Sequence, residues 1–189
     1  MKKNSNHLVD IIMPNYNKCD YLEQAINSVI KQTHKNWKLY IIDDHSNDLS
    51  KKILGKFKKN KKIYVYYLKQ NKGPAFCRNF GIKKSSSNMI AFLDSDDFWP
   101  KNKLQTQLKF MLKNSIEFSF TDYFSFYQQN KKIKKIGKTN IIKQFNFNSF
   151  IKNSSINTST MIINRKILKN IKFKNLKKHE DYIFKCEIL

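Results

Sequence analysis

Apolar and polar positions follow two alternating rhythms through the first hundred residues. Leu8-Val9-Asp10-Ile11-Ile12-Met13 is a short, nearly continuous apolar run, stopped by Pro14 and the polar Asn15-Tyr16-Asn17, and predicts a buried strand. From Cys19 to Lys31, Tyr21, Leu22, Ala25, Ile26, Val29 and Ile30 recur at helical spacing. Leu39-Tyr40-Ile41-Ile42 predicts a second strand ending on Asp43-Asp44, followed by a short helix to about Lys59 with Ile53, Leu54 and Phe57 on one face. Ile63 to Leu68 predicts a third strand, Asn71-Lys72-Gly73-Pro74 opens a helix to about Lys84, and Met89 to Leu93 predicts a fourth strand. Strands alternating with helices at these distances imply βαβ units, hence an α/β fold with a parallel, Rossmann-like sheet.

After Pro100 the rhythm loosens. Leu104, Leu108, Met111 and Leu112 predict an amphipathic helix, and Ile116 to Phe126 and Lys132 to Gly137 two antiparallel strands. Gln144 to Thr160 is polar and irregular, and Met161-Ile162-Ile163 predicts a last strand. Asp181 to Leu189 predicts a helix that stops without Gly, Asn or any other C-terminal cap, the pattern expected of a chain cut short. No internal repeat or linker divides the chain, so a single domain over 1–189 is expected.

Composition narrows the class. With 189 residues, 40% hydrophobic and 14% aromatic, the chain can build one proper core and is not of disordered composition. No apolar stretch approaches the roughly 20 residues of a membrane helix. The basic N-terminus runs into a strand rather than a signal-peptide pattern, so a cytoplasmic location is expected. Cys19, Cys77 and Cys186, without CxxC spacing, suggest neither a disulfide framework nor a zinc site. The formal charge of +23 admits an anionic membrane surface or nucleic acid as partner. Scattered lysines beside abundant asparagine and isoleucine also fit a coding bias, and no groove-reading helix, zinc finger or aromatic RNA-binding motif is present. Nucleic acid is not expected as a partner.

That bias sharpens two signals. Arginine occurs only at Arg78 and Arg165, so Arg78 marks a place that needs a planar, bidentate guanidinium. Among only 14 acidic residues, half fall in tight groups: Asp43-Asp44, then Asp94, Asp96 and Asp97, then Glu180-Asp181. Three carboxylates within four positions repel one another unless a cation sits among them. Hard divalent ions such as Mn²⁺ or Mg²⁺ take oxygen ligands and often carry a substrate's phosphates. In open α/β sheets ligands bind beyond the carboxyl ends of strands, where Asp94, Asp96 and Asp97 fall. The expectation is a metal–diphosphate site.

Several motifs then coincide in order: Pro14-Asn15-Tyr16-Asn17, Gln32-Thr33, Ile42-Asp43-Asp44-His45-Ser46, Asn71-x-Gly73-x₄-Arg78-Asn79-x-Gly81, Phe92-Leu93-Asp94-Ser95-Asp96-Asp97, Asn157 to Thr160, and His179-Glu180-Asp181. In this order and spacing the chain resembles the family 2 glycosyltransferases with the GT-A fold, over essentially all its length. The resemblance implies a nucleotide-sugar-binding half over 1–100 and a less regular acceptor-side half over 101–189. It implies that Pro14, Tyr16 and Asn17 line a nucleoside pocket, with the Tyr16 ring on the base. Asp44 would bond uracil while Asp43 supports the turn, although the pair could instead cap the following helix.

Asn71, Gly73 and Arg78 would contact the donor, Gly73 by permitting a tight turn and Arg78 by gripping diphosphate or by ordering the metal-binding acids. Asp94 would touch ribose or sugar and Asp96 would reach the metal. Asp97 would coordinate too, or else cap the helix that begins near Pro100. Asp181 would serve as general base, with a helix-dipole role as its alternative. His179 and Asn157 to Thr160 would shape the acceptor side.

The activity implied is inverting, metal-dependent transfer of a sugar from a nucleotide donor, expected to be UDP-linked, to a glycan or lipid-linked acceptor of a bacterial surface polysaccharide. Peripheral contact with anionic lipid at the inner face of the membrane would suit the basic surface. Three readings compete. A nucleotidyltransferase would carry a Gly-rich loop after the first strand, where this chain has Pro14-Asn15-Tyr16-Asn17-Lys18. A basic nucleic-acid-binding module leaves the acid clusters unexplained. An inactive or incomplete GT-A fragment would leave the Asp181 helix poorly anchored.

Overall fold

The computed structural model describes residues 7–129, 132–139, 146–152, 154–176 and 179–189. Its first half alternates as read: β1 (Val9–Asn15), α1 (Cys19–Ile30), β2 (Trp37–Asp43), α2 (Ser50–Gly55), β3 (Ile63–Tyr67), α3 (Pro74–Lys84) and β4 (Met89–Phe92). The second half adds α4 (Lys103–Lys113), β5 (Phe118–Ser119), β6 (Tyr123–Gln129), β7 (Lys132–Thr139), α5 (Phe147–Lys152), β8 (Ile162–Asn164) and α6 (Glu180–Ile188). The central sheet has the order β3-β2-β1-β4-β8-β5. β1 to β4 run parallel, and β8 pairs antiparallel with both β4 and β5.

The near-continuous apolar runs follow from burial of both sheet faces. Val9, Ile11, Met13, Leu39, Ile41 and Ala91 pack on one side with Leu22, Ala25, Ile26 and Val29 of α1 and Leu104, Leu108 and Met111 of α4. Their alternates Ile12, Tyr40, Ile42, Ile90 and Phe92 pack on the other with Ala75 and Cys77 of α3 and with Phe150, Phe173 and Phe184. The sheet therefore holds its carboxyl ends rigidly, at one edge, between two cores.

Helix α3 lies very close to that sheet at Gly81. A Cβ there would meet Ile12 Cγ2 at 2.5 Å and Ile42 Cδ1 at 3.0 Å. Ile12 is buried and β-branched, so it cannot rotate away. Gly81→Ala is expected to destabilise the protein by about 1–3 kcal/mol through overpacking, against a helix-propensity gain of about 1 kcal/mol. Urea unfolding measures the balance, and a net gain would show that the helix can lift.

The second arginine is structural. Arg165 donates from Nε to the Ser87 carbonyl at 2.8 Å and from its two terminal nitrogens to the Ile82 carbonyl and Ser85 Oγ at 3.2 and 2.6 Å. Buried Asp10 accepts from the Ser86 and Ser87 backbone N–H groups at 2.8 and 2.7 Å. Together they tie the turn entering β4.

The late chain departs from the sequence reading in two places. The strand predicted over 116–126 divides: Phe118-Ser119 joins the central sheet, and Tyr123–Gln129 leaves it to pair, among the described residues, only with β7. The polar Thr121-Asp122 makes the break. The segment read as irregular over Gln144 to Thr160 holds α5 and a 3-10 turn at Thr158–Thr160, while 144, 145 and 153 lie outside the described residues, as does the basic N-terminus 1–6. Six residues are too few to register a 3.6-residue period, so α5 left only Phe150 as its buried mark.

Candidate functional site

Parallel β1, β2 and β4 deliver Asn15, Asp43 and the acidic loop after Phe92 to one edge of the sheet. Asp43 is wholly buried and knits the first two loops: its carboxylate accepts from Asn15 Nδ2 at 2.8 Å, Ser46 Oγ at 2.6 Å and the Ser46 N–H at 3.2 Å. Asn17, with φ of 50°, donates its N–H to Ser46 Oγ and accepts from the Asn47 N–H at 2.9 Å. Pro14 is half-buried between Met13 and Asn15, which are both buried. Tyr16 just beyond the strand is 46% exposed, so its ring is no core aromatic.

Asp44 clasps the third loop. Its two carboxylate oxygens accept from the N–H groups of Lys72 at 2.7 Å and Gly73 at 2.8 Å, and Asn71 Nδ2 donates to its carbonyl at 3.3 Å. Gly73 has φ of 84°, a left-handed conformation that favours glycine, and Pro74 follows at the first position of α3. Neither Asp43 nor Asp44 caps α2, whose N-cap is Leu49; its first N–H, that of Ser50, donates to Asp48 at 2.8 Å.

The acid loop is a tight turn, closed by the Asp97 N–H to the Asp94 carbonyl at 3.0 Å. Ser159 braces it from the 3-10 turn: its Oγ accepts from the Asp94 N–H at 3.0 Å and donates to Asp97 Oδ2 at 2.6 Å. Asn157 caps that turn through the Ser159 N–H at 2.7 Å. Asp96 pairs with Lys18 at 2.7 Å in an exposed contact. Asp97 does not cap α4.

Burial pushes the Asp97 carboxyl up to about 6. Ser159 and Lys18 oppose that rise, while the neighbouring Asp94 and Asp96 charges add to it. Between about pH 4 and 6 the unfolded chain has ionised this group while the folded protein keeps its proton. Stability therefore falls as pH rises through that window, and the full cost is present above it. With chelator at pH 7, Asp97→Asn is expected to raise stability by about 1–3 kcal/mol in urea unfolding. An unchanged midpoint would show that this carboxylate is under no such tension.

Arg78, 5% exposed, joins the two acidic walls. It donates to Asp94 Oδ1 at 2.8 Å and to Glu180 Oε1 at 3.0 Å, and lies over the Phe173 ring at 5.2 Å. Asn79 pairs with the Phe173 backbone through two bonds, of 2.8 and 3.1 Å, and Phe173 stacks on Phe184 of α6. Arg78-Asn79 thus holds α6 against the acid loop. Asp94 and Asp181 line one cleft of about 310 Å³, with Tyr123, Asn157, Thr158 and His179 also at its walls. Asp181 Oδ2 accepts from Lys185 Nζ at 2.6 Å and Thr158 Oγ1 at 3.2 Å. Burial alone would push its carboxyl up; Lys185, Arg78 and Thr158 overcome this and hold it below the usual carboxylate range. It is ionised at neutral pH.

Four residues escaped the sequence reading: Glu180 as partner of Arg78, Ser159 as brace, Lys18 and Lys185. Only Lys185 left a usable mark, its i,i+4 spacing from Asp181. Among the described residues no three acidic, imidazole or thiol groups form a preformed metal cage. What stands at the end of β4 is Asp97, its carboxyl raised by burial and by the Asp94 and Asp96 charges, a rise that a cation would relieve.

This architecture is the GT-A fold. The structure superposes on S. aureus TarS 1-349, solved in complex with UDP-GlcNAc, with a TM-score of 0.78 at 24% identity, covering 95% of this chain and 52% of that one. In sequence it is 36% identical over 179 residues to the Escherichia coli UDP-Glc:alpha-D-GlcNAc-diphosphoundecaprenol beta-1,3-glucosyltransferase WfgD, covering 95% of this chain and 69% of that protein. WfaP, of the same stated activity and organism, is 35% identical over 184 residues, covering 96% of this chain and 70% of that protein. Residues 10–172 match Glycosyl transferase family 2. The chain belongs to that family and is a glycosyltransferase. Among the described residues no helix is long and apolar enough to cross a membrane.

Proposed function

We propose that this chain transfers a sugar, with inversion at the anomeric carbon, from a UDP-linked donor to a glycan or lipid-linked acceptor of a bacterial surface polysaccharide. One observation carries the reading: Arg78 bonds both Asp94 and Glu180, tying the acid loop to the start of α6 so that Asp94 and Asp181 line a single cleft. A direct displacement needs both, a donor diphosphate on one side and a base for the acceptor on the other.

Residues 1–100 would hold the donor. The exposed Tyr16 ring offers the base a stacking surface beside Pro14 and Asn17. Asp44, Asn71 and Gly73 shape the loop against which the nucleoside rests, with Asp44 beside uracil. Arg78 keeps Asp94 aimed into the cleft, towards ribose or sugar. Asp96 and Asp97 fit Mn²⁺ or Mg²⁺, because such an ion needs only one or two protein carboxylates when phosphates and water complete its shell. When bound, the ion neutralises charge on the departing diphosphate.

Residues 101–189 would hold the acceptor. Asp181, ionised and oriented by Lys185 and Thr158, takes the acceptor hydroxyl's proton as that oxygen bonds to the anomeric carbon. The bond from that carbon to the diphosphate oxygen breaks, and its electron pair leaves with UDP. The stated activities of WfgD and WfaP, a UDP-glucose donor, a diphosphoundecaprenol-linked acceptor and a β-1,3 linkage, support this reading. A lipid-linked acceptor would also place the protein at the cytoplasmic face of a membrane.

The test is to offer a panel of UDP-sugars with a GlcNAc-diphospholipid acceptor and read the new anomeric proton by NMR. A product inverted relative to its donor is expected, and a retained configuration would overturn the mechanism.

A further inference from the structure

The β6–β7 hairpin stands outside the central sheet as a two-stranded sheet of its own. Such isolated hairpins are marginal in water unless a face is covered. β6 carries Tyr123, Phe124, Phe126 and Tyr127, and β7 carries Lys132, Lys134, Lys135 and Lys138; neither strand holds an acidic residue, and Lys138 pairs with Asp122, just before β6, at 3.5 Å in an exposed contact. The register sets Phe124 opposite Lys138, Phe126 opposite Lys135 and Tyr127 opposite Lys134. Phe124 is 51% exposed, and the half-open Phe98 ring packs on Phe126 with centroids 4.8 Å apart. An aromatic strand is thus zipped to a lysine strand.

That pairing matches the headgroup region of a bilayer. Aromatic rings settle at the membrane–water interface, and lysines beside them meet anionic headgroups. The position favours lipid over nucleic acid as the occupant. Tyr123 begins the hairpin and lines the cleft with Asp94 and Asp181, and Phe98 directly follows Asp97. On α5, whose Phe150 lines the same cleft, Phe147 and Ile151 are also exposed. Apolar groups around the mouth suit a bilayer contact, and the Asp94 and Asp181 carboxylates of the adjoining cleft would repel a polynucleotide's phosphates.

We propose that the β6–β7 hairpin, with Phe98, is a docking surface for an anionic phospholipid bilayer, setting the cleft against the headgroup layer from which a lipid-linked acceptor is presented. The proposal deepens the transferase reading above and rests on its lipid-linked acceptor.

The test uses the full chain and two vesicle types, phosphatidylcholine alone and phosphatidylcholine with about one third phosphatidylglycerol, at physiological salt. One variant replaces Lys132, Lys134 and Lys135 by Gln. A second removes the same charge from exposed Lys58, Lys59 and Lys61, in the turn before β3 at the opposite edge of the sheet. Each interfacial lysine is worth about fivefold in binding. The hairpin variant should therefore lose on the order of 100-fold on anionic vesicles and the control only a fewfold, while Phe124→Ser also weakens binding.

Thermal unfolding and UDP titration accompany every protein. A failure to bind UDP counts against the transferase reading and leaves the vesicle comparison intact. Three results would overturn the docking surface: equal losses in both lysine variants, no preference of the native chain for anionic vesicles, or its displacement from vesicles by an oligonucleotide of equal phosphate content.

Discussion

Asp181→Asn is expected to lower turnover by about 10²–10⁴-fold, the range a positioned general base supplies, while leaving affinity for UDP within about twofold. The asparagine keeps an oxygen for Lys185 and Thr158, so the cleft wall survives and only the proton acceptor is lost. Removing a charge beside buried Lys185 has its own cost, because the ammonium then lacks its counter-ion. The double variant Asp181→Asn/Lys185→Met removes that cost and should recover stability without recovering turnover. Recovery of turnover along with stability would show that Asp181 is a structural partner of Lys185 and that the base lies elsewhere.

Arg78→Lys is the second large effect. The guanidinium reaches Asp94 and Glu180 at once through two terminal nitrogens, in a 5% exposed position over the Phe173 ring. A lysine can serve one carboxylate and leaves the other without its partner. Breaking one arm of a buried ionic network costs about 3–5 kcal/mol where the stranded charge is fully buried. Glu180 retains some exposure and Asp94 more, so a loss nearer 2–3 kcal/mol is expected. UDP affinity should fall as well, since Asp94 loses its orientation. Glu180→Gln separates the two consequences: it keeps an acceptor for Arg78, so stability should fall less and the donor side should remain intact. Wild-type stability in Arg78→Lys would mean that the bridge does not hold α6 to the acid loop.

Much of this frame is legible in the sequence because both rhythms reflect simple burial. β1, β2 and β4 are buried on two faces and read as nearly unbroken apolar runs, the edge strand β3 is only partly buried, and α1 and α4 are buried on one face and read as periodic. The scarcity of arginine and of acids made Arg78, Asp94, Asp96, Asp97 and Asp181 stand out individually. What the sequence hid is how they are held. Ser159 braces two aspartates across more than sixty residues, and serine is too common to signal it. Lys18 could not be told from the other lysines. Glu180 was visible only as the neighbour of Asp181, because its link to Arg78 spans 102 positions. The break between β5 and β6 was hidden because both halves are aromatic, and only pairing partners distinguish a strand in the sheet from one that leaves it.

The most direct test of a metal-assisted UDP site at the β4 end is calorimetric titration of UDP into the protein with and without Mn²⁺, repeated on Asp96→Ala. Asp96 is suited to this because its exposed ion pair with Lys18 contributes little to stability, so the variant should fold normally. Binding that requires Mn²⁺ in the native chain and vanishes in Asp96→Ala is the result this account predicts. Equally tight UDP binding by native and variant chains, unchanged by Mn²⁺, would contradict it.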